Sequence, residues 1–408
     1  MQGFFTKKEI ESSTPDGRTL SCVSCGLYKD CQSPRMAAYG NFKKKIMNIG
    51  EAPGEMEDKN GKPWQGRTGK ALQQMYKKLG VDLFEDCINI NAVNCRPMDE
   101  KGGNRTPTNH EIDCCRRIVL KAIDTHKPKV IVLLGYPAVY SIIGHRWKKD
   151  LTSLSKWRGW TIPDQDYKAW VCPTFHPSYV ERSDSKEVST VWEQDLRQAF
   201  EKVNTPFLLY KEPKITELTD LSPLNEITHG PVAIDYETTG IKPHAAGHRI
   251  VSTSIAINEN EVFVFVMPET RRELRPLIDL LRNDSIGKMA HNMKFEEAWS
   301  VERLKQNVVN WWWDSMLAAH VLDNRQGVTG LKFQAYVQFG IIDYSSEVEP
   351  FLQAMDNTNA NSINKIDALL KKPGGKSTLL KYNALDSIYE YRLAMMQMKL
   401  ISENCLPF

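Results

Sequence analysis

Asp235 and Glu237, in "PVAIDYETTG", stand two residues apart in a run with strand character, so their side chains share one face. Tyr382 and Asp386, in "KYNALDSIYEYRLAMMQ", stand four apart in a helical pattern, again on one face. Clustered carboxylates are what hard divalent cations require. A different chemistry is raised by "GEAPGEMEDKNGKPWQGRTG", Gly50 to Gly69, which holds five glycines, two prolines, four carboxylates and one tryptophan. A phosphate cradle sets backbone N–H groups and a lysine against an anion, whereas acids repel phosphate. An acidic surface turn accounts for the carboxylates but not for the tryptophan.

Cysteines add a third chemistry. Cys22, Cys25, Cys31, Cys87, Cys95, Cys114, Cys115 and Cys172 fall in the first half, and only Cys405 follows. The opening "MQGFFTKKEIESSTPDG" is too polar for a secretory signal, so metal binding explains them better than disulfides. "CVSC" at 22 to 25 is a C-x-x-C; Cys95 and one of the pair Cys114 and Cys115 would complete four thiolates. Four thiolates hold either zinc or an iron–sulfur cluster.

These residues need elements to position them. The first half alternates strand-like runs ("KKIMNIG", "CININ", "KVIVLLG", "KAWVCPTF") with helical ones ("GKALQQMYKKLG", "NHEIDCCRRIVLKAIDTHKP"), implying a mostly parallel α/β sheet. Ligands lie at the carboxyl ends of such strands, where the glycine-rich loop, Asn91 and His176 all fall. In the second half, "PVAIDYETTG", "RIVSTSIAI" and "EVFVFVM" suggest an antiparallel start to a sheet. The expected domains are 1–203, a linker at 204–228, and 229–408. The first 203 residues hold 32 Lys+Arg against 25 Asp+Glu and the remainder 21 against 25, giving +7 and −4. A basic half suits a polyanion, and an acidic half meeting nucleic acid needs metal ions between them.

The loop "GEAPGEMEDKNGKPWQGRTG", followed in order by "NAVNCRP", "NRTPTNHEIDCC", "VIVLLG" and "TFHPS", resembles the iron–sulfur uracil-DNA glycosylases, family 4. The resemblance implies a three-layer parallel-sheet glycosylase domain with a [4Fe-4S] cluster on Cys22, Cys25, Cys95 and Cys115. It also implies that the loop holds a flipped-out base. Trp64 stands where the family stacks a phenylalanine on the base. Asn91 reads the uracil edge, and His176 donates to O2 as negative charge develops. Glu57 crowds C5 against thymine, and Glu51 lies in the motif that positions the attacking water. Two departures are "PWQG" in place of "PFVG" and four extra residues in "DEKGG". The loop at 144 to 160 interleaves cations with three tryptophans, so Arg146, Lys148, Lys149 and Arg158 are expected to contact DNA.

Over residues 229 to 400 the acids, with "HNMKFE", resemble the DEDDy 3′–5′ exonucleases that proofread for family A DNA polymerases, on a ribonuclease H-like mixed sheet. The resemblance implies two Mg²⁺ or Mn²⁺ ions held by Asp235, Glu237, Glu296 and Asp386. Glu296 takes the place of the family's aspartate, and Tyr382 orients the attacking water. Asn292 and Lys294 lie near the substrate, and Asp314 lies outside the metal shell.

The expected protein is a DNA repair or replication enzyme that excises uracil or a related pyrimidine and trims single-stranded 3′ ends. No run reaches the roughly 18 apolar residues of a membrane helix, so a cytoplasmic location is expected, the host cytoplasm for a phage protein. The chain stops where a family A polymerase would begin its polymerising region. The alternative is therefore the exonuclease half of a split or truncated polymerase, partnered by a polymerase subunit and carrying its glycosylase-like domain as a non-catalytic DNA-binding module.

Overall fold

The structure is a computed structural model that describes residues 20–147, 151–356 and 358–404. It divides into two compact units: one runs to Leu209 and takes in Tyr336–Ile342, the other comprises Tyr210–Ala335 and the chain from Asp343 onward.

The first unit is built on β1 (Ile46–Gly50), β2 (Cys87–Asn91), β3 (Val130–Leu134), β4 (Ile162–Asp164) and β5 (Ala169–Thr174), in the order β2-β1-β3-β5-β4. All pairings are parallel except β4 against β5. Every residue of β1, β2 and β3 is buried, as expected of a parallel sheet. Its helices are α1 (Cys22–Cys25), α2 (Glu55–Asn60), α3 (Arg67–Lys78), α4 (Asn109–His126), α5 (Pro177–Ser183) and α6 (Lys186–Glu201). Ile46, Val130 and Val132 form a core with Leu72 and Tyr76 of α3 and Leu196 of α6. A capping box starts α4: Thr108 Oγ1 accepts from the Glu111 N–H, and the Glu111 carboxylate accepts from the Thr108 N–H at 2.8 Å. That fixed start sets where Cys115, one turn later, points.

The second unit holds β6 (Lys214–Glu217), β7 (Val232–Thr238), β8 (Ile250–Asn258), β9 (Glu261–Val266), β10 (Lys288–Ala290) and β11 (Trp311–Asp314), ordered β11-β10-β7-β8-β9-β6. β7, β8 and β9 are antiparallel, while β10 and β11 join in parallel, so the sheet is mixed. Its helices include α7 (Arg275–Arg282), α8 (Met293–Trp299), α9 (Ser315–Leu322), the start of α10 (Leu331–Phe339), whose residues from Tyr336 onward belong to the first unit, and α11 (Gly375–Asn404), the last lying across β7, β8 and β9. The expected linker at 204–228 is only partly a connector. β6 pairs in parallel with β9, and Leu221 and Leu224 are buried in the core beside Val232 and Ile234. Pro213 immediately precedes the edge strand β6, and Pro223 lies in a short 3₁₀ turn, Ser222–Glu226.

The cation-rich loop also departs from expectation. Arg146 forms an ion pair with the fully buried Asp164, another with Asp166 at 2.7 Å, and covers the Tyr167 ring at 4.6 Å. Arg158 pairs with Asp195 at 3.0 Å. Trp147 and Trp157 are buried edge to face, with Tyr336 of the same unit stacked on Trp147. Arg146 and Arg158 thus pair with carboxylates of the protein itself, and Lys148 and Lys149 lie outside the described residues. No helix of the described residues is long and apolar enough to cross a membrane.

Breaking one partner of a buried ion pair strands the other charge, at a cost of about 3–5 kcal/mol. Arg146→Met should therefore lower the unfolding free energy in urea by that amount, with affinity for DNA changed less than twofold. A stable variant that binds DNA poorly would restore the DNA-contact assignment.

Candidate active sites

In the first unit, three strand ends deliver side chains to one place. β1 ends at Gly50, paired in register with Asn91 at the end of β2, and β5 leads through Phe175 to His176. A cavity of about 460 Å³ lies there, lined among others by Glu51, Glu57, Trp64, Asn91, His176 and Arg182. The five expected base-site residues are thus gathered around one cavity.

Local sequence explains how they close in. A Cβ on Gly50 would lie 2.4 Å from Asn91 Oδ1 and 2.9 Å from the Trp64 ring, so only glycine lets both approach the strand end. Trp64 is in the left-handed region at φ 60°, and a Cβ on Gly69 would meet its carbonyl oxygen at 2.2 Å. Its indole is buried, with its ring centroid 5.9 Å from that of His176. Glu57 braces the loop, its carboxylate accepting from the N–H groups of Gly54, Gln65 and Gly66 at 2.8–3.1 Å.

The polar groups are tuned by burial. His176 Nδ1 accepts from the Ser178 N–H, which leaves the ring proton of the neutral imidazole on Nε2. Burial, helped by the charge of Arg182, pushes its pKa down to about 4. The Glu51 carboxyl is pushed up by burial, against the attraction of Arg182 and a hydrogen bond to Thr106. Asn91 bonds Asn94 through its backbone N–H, leaving the side-chain amide to the cavity.

Beside this cavity, Cys22, Cys95 and Cys115 share an apolar cluster with Tyr28, Val93 and Ile112, and Cys25 packs against it. Burial pushes the Cys115 thiol up to about 12 and the Cys25 thiol up to about 11. Sulfurs so placed ionise only against a cation, and a soft, thiolate-bound metal group fits them. Cys95 Sγ also accepts from the Arg35 N–H at 3.1 Å. Cys114 turns elsewhere, toward Ser24 Oγ at 3.5 Å and His110 Nε2 at 3.7 Å. Cys31, which the spacing did not single out, is buried in the same cluster and hydrogen-bonds Cys95.

In the second unit, Asp235 and Glu237 of β7 meet Asp386 of α11, one ligand atom from each lying within 4.8 Å of the others. Burial raises the carboxyls of Asp235, Glu237 and Asp386, and neighbouring carboxylates raise the first two further. Glu296 of α8 is buried, its Oε2 has no hydrogen-bond partner, and burial followed by Asp235 raises it as well. Buried acids with an orphaned oxygen fit divalent cations. The neighbouring Glu297 instead accepts from the Val308 N–H and Trp311 Nε1, so of the two acids Glu296 is the one with an oxygen left without a partner. Asp314 accepts from four backbone N–H groups, those of Asn292, Met293, Met316 and Leu317. It joins the starts of α8 and α9. Asn292 sits at the left-handed turn before α8, and Lys294 is exposed.

Three further residues belong to this centre. Asn383 donates to Asp235 Oδ2 at 2.6 Å, Tyr344 donates to Asp386 Oδ1 at 2.5 Å, and the Tyr344 ring stacks on Tyr382. Glu390, one turn beyond Asp386, accepts from Ser315 and is pushed up to about 8 by burial. Its i+4 spacing from Asp386 was the one available signal; Tyr344 had none.

Comparison with known proteins follows the same division. Residues 37–203 match the uracil DNA glycosylase superfamily, and residues 214–396 match a 3′–5′ exonuclease family. The chain is 34% identical over 195 residues to a type-4 uracil-DNA glycosylase of Thermotoga maritima, covering 48% of this chain and 95% of that protein. A type-4 uracil-DNA glycosylase of Sulfurisphaera tokodaii is 33% identical over 192 residues, covering 46% and 82%. A DNA polymerase of Bacillus phage SP01 is 22% identical over 331 residues, covering 73% of this chain and 34% of the polymerase.

The acid cluster fixes a pH dependence. Unfolded, each carboxyl ionises near its ordinary pKa of about 4; folded, each ionises higher, so metal-free stability falls as pH rises from about 4 toward the Glu390 value of about 8. In EDTA the second unit should melt roughly 5 °C or more lower at pH 8 than at pH 5.5, and Mn²⁺ at pH 8 should reverse the loss. Equal melting at both pH values would contradict a buried, uncompensated cluster.

Proposed function

The chain belongs to the type-4 uracil-DNA glycosylases through its first half and carries a 3′–5′ exonuclease domain in its second, and from that premise we propose that it both excises uracil from DNA and removes 3′-terminal nucleotides. The observation that carries the reading is that each unit gathers its reactive groups from distant segments onto one spot: Glu51, Asn91 and His176 around one cavity, and Asp235, Glu237 and Asp386 within 4.8 Å.

For excision, the target base leaves the stack and enters the cavity. Trp64 offers an indole against it, and the Asn91 amide, both donor and acceptor, pairs with its edge. As the bond from C1′ to N1 breaks, negative charge develops on the pyrimidine, and the neutral His176 donates from Nε2 to O2. Glu51 orients the water whose oxygen bonds C1′, and the released base takes up a proton. Cys22, Cys25, Cys95 and Cys115 would hold a [4Fe-4S] cluster, which ties α1 to the sheet and α4.

For 3′ trimming, Asp235, Glu237, Asp386 and Glu296 would hold two divalent cations, which supply the positive charge that stabilises the attacking and leaving oxygens. Tyr382 orients the attacking water, while Asn383 and Tyr344 fix the rotamers of Asp235 and Asp386. The water gives up a proton as its oxygen bonds phosphorus, the bond to the 3′ oxygen breaks, and that oxygen takes up a proton to become a 3′ hydroxyl as a 5′-monophosphate departs. The likeness to a phage DNA polymerase supports a replicative setting beside a polymerase.

Asn91→Ala and His176→Ala should each lower uracil release from a labelled oligonucleotide by about a hundredfold. Asp235→Ala should abolish Mg²⁺- or Mn²⁺-dependent 3′ trimming and leave uracil release intact. Unchanged base release in both pocket variants would remove the glycosylase reading; a wild-type protein that trims no 3′ end with either metal would remove the nuclease reading. Anaerobically purified protein should carry about four irons with matching sulfide. Cys115→Ser should lose them and Cys114→Ser should not, and the reverse pattern would exchange the two assignments.

A further inference from the structure

The nuclease centre contains a cation that the mechanism above leaves unused. Lys332 lies in the first turn of α10, and its Nζ sits 5.1 Å from the centroid of the Tyr382 ring. Its charge also reaches Asp235, Glu237 and Asp386, the carboxyl of each being stabilised as an anion by it. One ammonium thus lies over the tyrosine and within electrostatic reach of the three acids. The turn that carries it is fixed: Gln334 is buried and donates through Nε2 to the Val328 carbonyl at 2.6 Å. The Tyr382 ring also stacks with Tyr344, their centroids 6.0 Å apart, so the ring beneath Lys332 is itself held in place.

Charge balance says what this lysine meets. Without cations, the ammonium is drawn toward the carboxylates. Once two divalent ions occupy the four carboxylates the charges balance, that attraction is cancelled, and Lys332 is left across a ring face from a centre with no net charge. The next anion to arrive is the phosphodiester of the DNA 3′ end, which must come within bonding distance of the same centre. Lysine is a compact, flexible point charge suited to a phosphate oxygen. We propose that Lys332 contacts a non-bridging oxygen of the scissile phosphodiester at the DNA 3′ end and is a further catalytic residue of the exonuclease centre. The inference rests on the nuclease reading of the second unit. It adds no step to the reaction: the lysine screens the charge that accumulates on phosphorus oxygens as water adds.

The test is Lys332→Met, with Lys332→Arg beside it, in the full chain loaded with Mn²⁺. The expected result is a fall in kcat/KM for 3′ trimming of single-stranded oligonucleotides of roughly 10–100-fold in Lys332→Met. Lys332→Arg should recover most of the loss. Mn²⁺ affinity, read separately by titration, should be unchanged or tighter, because a competing cation has left the acids. The slope of log kcat/KM against log salt should shrink by about 0.7, the counterion share of one contact to a single strand. Uracil release should be unaltered. Wild-type trimming with an equally active Lys332→Met overturns the proposal and leaves the nuclease reading intact. Loss of Mn²⁺ binding in step with activity also overturns it, since Lys332 would then shape the acid site rather than touch DNA. A wild-type protein inactive with both metals overturns the nuclease reading itself.

Discussion

Repulsion among carboxylates withheld from water governs the second unit. Asp235, Glu237 and Asp386 place oxygens within 4.8 Å of one another, and at an effective dielectric near 20 each ionised pair opposes folding by about 3 kcal/mol. Three such pairs approach the whole stability of an ordinary domain, about 5–15 kcal/mol. The surrounding structure is arranged to hold them regardless. β7 sits inside the sheet between β8 and β10, α11 lies across it, and Val232, Ile234 and Tyr236 alternate with the acids into the core. Asn383 and Tyr344 then remove the remaining freedom of two carboxylates by donating to them.

The first unit solves the opposite problem, that of keeping reactive groups neutral until a substrate arrives. His176 is held uncharged by burial and by Arg182. The rigidity comes from backbone rather than charge. Gly50 and Gly69 admit the Trp64 indole and the Asn91 amide where any side chain would collide, and the Glu57 carboxylate ties three backbone N–H groups of the loop. The acids of the glycine-rich loop are therefore a scaffold as well as chemistry, which is why that loop looks unlike a phosphate cradle.

Residues whose role is local were legible in the sequence. The i, i+2 acids of β7, the i, i+4 pair of α11 and the strand-end positions of Asn91 and His176 follow from period and order alone. Residues whose role depends on what folds back onto them were not. Arg146 and Arg158 resemble DNA contacts until Asp164 and Asp195 appear beside them. β6 looks like linker until β9 supplies its partner, and Tyr344 has no signature until its hydroxyl reaches Asp386. Cys31 escaped for the same reason, since its proximity to Cys95 is a fact of packing rather than of spacing.

The position of Asp386 on the long C-terminal helix α11 has a consequence for biosynthesis. Glu51, Asn91, His176 and the four cysteines emerge from the ribosome well before the nuclease acids are complete. Asp386 follows Glu237 by about 150 residues, so at roughly 5–20 residues per second the two strand acids wait on the order of ten seconds for their third partner. A nascent chain therefore lacks the third acid of the cluster until α11 has been made. A product cut short before α11 carries Asp235 and Glu237 without Asp386, so interrupted translation leaves the acid cluster incomplete.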